Sequence, residues 1–291
     1  MEEGSRQGIG ANPCGPTLGF CLGLAGVYKT MCLGKNLGMP SPSPTAIRML
    51  ALGDSLTQGV GDPRPGRSGF GGALDGWVMH LANALGGSER RVNIHNLAFA
   101  GAQSFHVVDD QLPAIRGQTA DLASCFVGVN DLCRTSFDEA EYGQAMEQIF
   151  GALIIAAPLV ITATIHPFDA RYPLPGSLRA KVRAHTAEAN AVLRELAERF
   201  GLLLLDLERR PEMQRSDIWA VDRLHPNRYG HQLIAAEVLR LLQNAGHFTK
   251  TTMTPPTPTG RGTSDLAHVV WTGSYVQRVV TARVREHLST R

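Results

Sequence analysis

The chain has 291 residues, with 28 Lys and Arg against 26 Asp and Glu for a formal net charge of +2, and 43% of its residues are hydrophobic. That composition can bury a sizeable core and excludes a disordered chain. The near balance of charge gives no broad basic face for nucleic acid, whose phosphates need clustered Lys and Arg, so no nucleic-acid partner is expected.

Residues 1–45 are rich in Gly, Pro and Cys, show no periodicity, and end in Met39-Pro40-Ser41-Pro42-Ser43-Pro44. Successive prolines lack amide donors and resist both helix and sheet, so this stretch is predicted to be an extension without regular structure. Met39 is the expected natural start. The mildly apolar segment from Pro16 to Gly34 follows Glu2 and Glu3 and is interrupted by Lys29. A secretory signal has a basic start and a denser apolar centre, so a cytoplasmic protein is expected, with secretion as the alternative. The five cysteines (Cys14, Cys21, Cys32, Cys125, Cys133) form no C-x-x-C pair and no zinc-finger spacing with His, which argues against a disulfide framework and a metal site.

Residues 46–245 alternate two patterns. Ile47 to Gly53, Val92 to Ala98, Leu122 to Val127, Leu159 to Thr164 and Leu202 to Asp206 are short apolar runs that read as buried parallel strands. Between them lie helical spacings, clearest from Ser177 to Phe200, with Ser177 as N-cap and Gly201 as left-handed C-cap. Another helix is expected from Asn227 to Asn244. The most apolar run, Gly151 to Ile165, falls short of the roughly 18 residues a membrane span requires and carries Pro158, so it reads as a helix end followed by a strand. Strands alternating with helices predict a three-layer, doubly wound α/β domain whose ligands bind at the carboxyl ends of the strands. Residues 246–264 read as a Thr/Pro linker. Residues 265–291 read as a basic amphipathic helix that docks on the domain, pairs with another subunit or lies on anionic lipid; docking is favoured over peripheral membrane contact.

The strand-end rule directs attention to the residues just after each strand. After the first comes Gly53-Asp54-Ser55-Leu56, where a serine on a rigid support can act as a nucleophile or merely cap the next helix. After the second, Gly101 offers an unobstructed backbone N–H. After the third, Gly128-Val129-Asn130-Asp131 offers the Asn130 amide as a further donor, with Asp131 anchoring the loop. Near the domain's end, Asp222-Arg223-Leu224-His225-Pro226 spaces a carboxylate to orient an imidazole, so that His225 can take a proton from Ser55. His166, at the end of the fourth strand, is a candidate for lining the substrate. Phe70 and Trp77, apolar anchors in the Gly-rich segment after Ser55, are candidates for a pocket wall. His80, His95, His106, His185 and His231 read as structural or solvent-facing, and Asp109-Asp110 as a solvated helical face.

Four blocks, Gly53-Asp54-Ser55-Leu56, the Gly101 loop, Gly128-Val129-Asn130-Asp131 and Asp222-Arg223-Leu224-His225-Pro226, stand in the order and rough spacing of a known family. The chain resembles the SGNH hydrolases, also called GDSL esterases and lipases, over about residues 47–244, and is most similar to actinobacterial-type members. The resemblance implies a five-stranded parallel sheet in flavodoxin-like order, Ser55 as nucleophile, His225 as base and Asp222 as its orienting acid. It also implies an oxyanion hole from the Ser55 N–H, the Gly101 N–H and the Asn130 side chain. The expected activity is cofactor-independent hydrolysis of a small-molecule ester or thioester through an acyl-enzyme. The alternatives are acyl transfer by the same site, or a non-catalytic binding protein of the same fold.

Overall fold

Apolar residues alternate between two faces along the first strand, β1 (Ala46–Gly53), and this alternation organises three layers. In the computed structural model, which describes residues 46–64, 73–87, 90–133, 137–171 and 176–254, Ile47, Met49 and Ala51 enter one core. Leu50 and Leu52 enter the other. Successive side chains of a strand point to opposite faces, so a strand buried on both sides needs an unbroken apolar run.

After β1 the chain forms α1 (Ser55–Gln58) and α2 (Gly76–Gly86), then β2 (Arg91–Asn96) and β3 (Leu122–Phe126). It continues through α3 (Glu139–Ala156), β4 (Val160–Ala163), α4 (Gly176–Phe200), β5 (Leu203–Leu205) and α5 (Arg228–Asn244), with shorter helical turns between. The five strands are all parallel in the order β2-β1-β3-β4-β5, the flavodoxin-like arrangement. Trp77, Leu81 and Leu85 of α2 and Ile234, Val238 and Leu242 of α5 cover the face carrying Met49 and Phe126. Met146, Ile149 and Leu153 of α3 and Val182, Leu193 and Leu196 of α4 cover the face carrying Leu50 and Cys125. Full burial of a side chain of this size contributes roughly 1.5–3 kcal/mol, so the two apolar faces dominate the stability of the layers.

The strand boundaries differ from the expected ones where side chains intervene. β2 ends at Asn96, whose Oδ1 accepts the Ala98 N–H at 3.1 Å, although the Leu97 and Phe99 N–H groups still donate to the Ala51 and Gly53 carbonyls of β1. α4 begins at Gly176, so Ser177 lies within the helix instead of capping it, while Gly201 takes the expected left-handed conformation at φ 66°. The Gly151 to Ile165 run is the end of α3 followed by β4, and no helix among the described residues is long and apolar enough to cross a membrane. Beyond α5 the chain stays on the domain: Phe248 and Met253 pack against the core, and Gln243 Nε2 donates to the Thr251 carbonyl at 2.7 Å. The 1–45 extension with Met39, the 265–291 helix and Phe70 lie outside the described residues.

Candidate active site

The carboxyl end of β1 is fixed against β3. Gly53 has φ +128°, and a Cβ there would collide with the Phe126 carbonyl oxygen, so only glycine permits this approach. The next residue, Asp54, is buried and caps α1, its Oδ1 accepting the Leu56 N–H at 2.9 Å. Ser55 is therefore the first residue of α1, where a backbone N–H has no partner within the helix.

The Asp222–His225 turn folds around one carboxylate. Asp222 Oδ1 accepts the backbone N–H groups of Leu224 and His225, each at 2.9 Å, and Oδ2 lies 2.7 Å from His225 Nδ1. His225 Nε2 lies 2.8 Å from Ser55 Oγ, joining residues 170 apart in the chain. Burial pushes the Asp222 carboxyl up, but the His225 imidazole and the two N–H donors outweigh it and hold the group below its ordinary value. An ionised carboxylate on Nδ1 places that proton there and leaves Nε2 free to accept from the serine.

Two further loops are tied to this pair. Gln58 Oε1 of α1 accepts the Ala100 N–H at 2.8 Å, which secures the turn holding Gly101. Gln103 Nε2 donates to the Asn130 carbonyl, and Asn130 Nδ2 donates to the Ala102 carbonyl, both at 2.9 Å, so the Gly101 and Asn130 loops brace each other. The Asn130 amide has two N–H bonds, and the Ala102 carbonyl takes one of them. Asp131 anchors its loop, as expected from the sequence, with Oδ1 accepting the Ser104 hydroxyl at 2.6 Å and the Ser104 N–H at 3.0 Å. Ser55, Gly101, Asn130 and the Asp222–His225 pair thus come from the ends of separate strands and turns linked by side-chain hydrogen bonds.

The model of the GDSL-like Lipase/Acylhydrolase family matches residues 51–233. The chain belongs to this family. As a GDSL-type acylhydrolase it is a carboxylic ester hydrolase with the SGNH fold, and its general substrates are small-molecule esters. Among solved structures, LAE5, an alpha/beta hydrolase enzyme from the metagenome of Lake Arreo, Spain, is 22% identical and superposes with a TM-score of 0.55 over 69% of this chain and 97% of its own. Axe2, an acetylxylan esterase from Geobacillus stearothermophilus, is 20% identical with a TM-score of 0.53 over 69% of this chain and 96% of its own. Both likenesses show the fold. No curated protein matches the chain.

Trp77, expected from the sequence as a candidate pocket wall, lies in the core of the acylhydrolase. Trp77 is fully buried in α2 and stacks on Phe126 with ring centroids 4.7 Å apart, so it fills the core. His166 is also less open than expected. It is 3% exposed, its ring lies 4.7 Å from that of Trp219, and the adjoining Ile165 backbone is held by both amide atoms of Asn190. Burial and the nearby Arg171 and His225 push its pKa well below the ordinary value, leaving a neutral ring packed under the His225 loop. Asp109 and Asp110 are exposed, as the solvated-face expectation has it.

Two features near Ser55 carried no sequence signal. Gln111 sits in a five-residue π-helical turn, Val107–Gln111, and reaches Gly53 from 58 residues away. Asp54, the N-cap residue just before the serine, is buried, and its pKa is pushed up to about 7, mainly by desolvation.

Proposed function

We propose that this acylhydrolase cleaves an ester or thioester through an acyl-enzyme on Ser55. Ser55 Oγ attacks the carbonyl carbon while its proton passes to His225 Nε2, and Asp222 stabilises the resulting imidazolium. The tetrahedral oxyanion is held by the N–H groups of Ser55 and Gly101 and the Asn130 amide. As the intermediate collapses, His225 returns the proton to the departing alcohol or thiol. Water then attacks the acyl-enzyme, giving its proton to His225, and the carboxylic acid leaves as Ser55 is reprotonated.

The observation that carries this reading is the continuous chain Ser55 Oγ, His225 Nε2, His225 Nδ1, Asp222 Oδ2, with links of 2.8 and 2.7 Å. Axe2 lends support: its catalytic mutants replace a serine, an aspartate and a histidine, with the aspartate three residues before the histidine, the spacing of Asp222 and His225 here.

A fluorophosphonate probe is expected to label Ser55, and Ser55→Ala or His225→Ala to lose about 10³-fold or more in kcat. Retained turnover in Ser55→Ala defeats the reading. A chain-length series of nitrophenyl esters beside acetylated sugars then separates acetyl-ester substrates from long-chain lipids, because selectivity resides in pocket shape.

A further inference from the structure

We propose that Arg228 and His231 are positioning residues that set the Ser55–His225 distance by stapling the segment after Ser55 to the helix after His225. The proposal rests on the Ser55–His225 assignment above and names what holds that pair in register.

Three successive residues just beyond Ser55 each meet the chain that flanks His225. The Val60 carbonyl accepts His231 Nε2–H at 2.9 Å. Gly61, with φ +100°, packs so closely that a Cβ would collide with the Pro226 carbonyl oxygen and lie 3.4 Å from His225 Cβ. Asp62 Oδ1 accepts Arg228 Nη1–H at 3.2 Å. At the other end of this segment, the N–H groups of Gly59 and Val60 donate to the Ser55 carbonyl at 3.1 and 3.0 Å. A short, hydrogen-bonded path therefore runs from the backbone of Ser55 to the first turn of α5, separate from the reacting atoms.

The chemistry of the staple is well defined. His231 is fully buried, and its Nδ1 accepts the Trp77 N–H at 3.2 Å, so the ring is neutral with its proton on Nε2, aimed at Val60. Burial pushes its pKa down to about 4, against the opposing pull of the Val60 carbonyl and Asp62. Asp62 is fully buried; its Oδ2 lies 2.6 Å from His80 Nε2 and accepts the Gly76 N–H at 3.2 Å. Burial drives the Asp62 carboxyl up, but His80 and Arg228 outweigh it and keep the group below its ordinary value. The Arg228 side chain is 47% exposed and also reaches Asp75 Oδ2 at 3.4 Å. It contributes little to the core and acts mainly through these two carboxylates.

Displacement of a reacting group by about 1 Å costs on the order of 100-fold in rate, so a staple of this kind is read in kcat. The test compares Arg228→Gln, Arg228→Lys, His231→Phe, His231→Gln and Ser55→Ala for kcat and KM on a nitrophenyl ester, for the rate of Ser55 labelling by a fluorophosphonate, and for thermal unfolding. Arg228→Gln is expected to lower kcat and the labelling rate together by roughly tenfold, with KM within about twofold. Lys restores most of the rate because a single charged donor can reach Asp62. Likewise His231→Gln, which keeps an N–H for Val60, retains more activity than His231→Phe. Unchanged kcat and labelling in the Arg228 variants while Ser55→Ala is dead overturns the staple alone. A rise confined to KM, or a loss that only tracks the unfolded fraction, overturns it as well. Turnover by Ser55→Ala sinks both the staple and the assignment beneath it.

Discussion

Gln111 and Gly53 exchange two hydrogen bonds: the Gly53 N–H donates to Gln111 Oε1 at 2.8 Å, and Gln111 Nε2 donates to the Gly53 carbonyl at 2.9 Å. A side-chain amide thus pairs with the last residue of β1 as a neighbouring strand would. Replacing Gln111 by Leu leaves the buried Gly53 N–H without its partner, at a cost of about 1–3 kcal/mol, while the Gly53 carbonyl keeps a 3.4 Å bond from the Phe99 N–H. Gln111→Leu is therefore expected to lose roughly 1–3 kcal/mol in urea unfolding, and near-native stability would refute this role.

Asn130 should separate catalysis from binding. Truncation to Ala removes the proposed oxyanion donor and its bond to the Ala102 carbonyl. The expected result is a fall of about 10²–10³ in kcat with KM little changed. A change in KM alone would place the side chain elsewhere in the reaction.

Asp222→Asn keeps the turn's hydrogen-bond acceptor but removes the charge opposite the imidazolium and disturbs the tautomer of His225. We expect kcat to drop by roughly 10³–10⁴-fold while the labelled serine remains Ser55. Steady-state kinetics on the purified variant decide the matter.

Asp54 gives a stability signature in the opposite sense to Asp222. Its folded pKa is raised from 3.8 to about 7, so between those values the native state binds the proton that the unfolded state has released. The contribution is fully present below about pH 4 and is lost as pH rises toward 7, on the order of 4 kcal/mol in total. Asn caps a helix as well as Asp does, so Asp54→Asn should fold and should lose this slope. Equal pH dependence of unfolding free energy in both proteins between pH 4 and 8 would rule it out.

Trp77→Ala tests the core assignment. Emptying a fully buried indole is expected to cost about 3–5 kcal/mol, with KM of the remaining folded protein unchanged. A selective shift in acyl-chain preference without destabilisation would return Trp77 to the substrate pocket.

The sheet was legible because its central strands are buried on both faces, as in Met49 to Gly53, Leu122 to Phe126 and Val160 to Ala163, whereas β2, expected as a buried strand, alternates half-buried and exposed residues at the sheet edge. The Ser55, Asp222 and His225 cluster was legible for a different reason, since each follows a strand end or sits at a fixed spacing, and the structure brings the three within hydrogen-bond distance. Trp77 was misread because the glycines around it suggested a loop. The spacing of Trp77, Val78, Leu81 and Leu85 is that of a buried helical face, and the structure follows it. Gln111 and Arg228 are polar residues whose roles depend on partners 58 and 166 positions away, and local pattern carries no trace of such pairings.

The separation of 170 residues between Ser55 and His225 also bears on how the enzyme comes into being. During synthesis the serine emerges early, in a half-built sheet that lacks the proposed base His225, the proposed orienting carboxylate Asp222 and the helix that packs over α2. Parallel strands joined by crossovers assemble through distant contacts and hence slowly. On the proposed assignment an unfinished chain therefore carries an inert hydroxyl, and hydrolytic competence arrives only with the last elements of the fold.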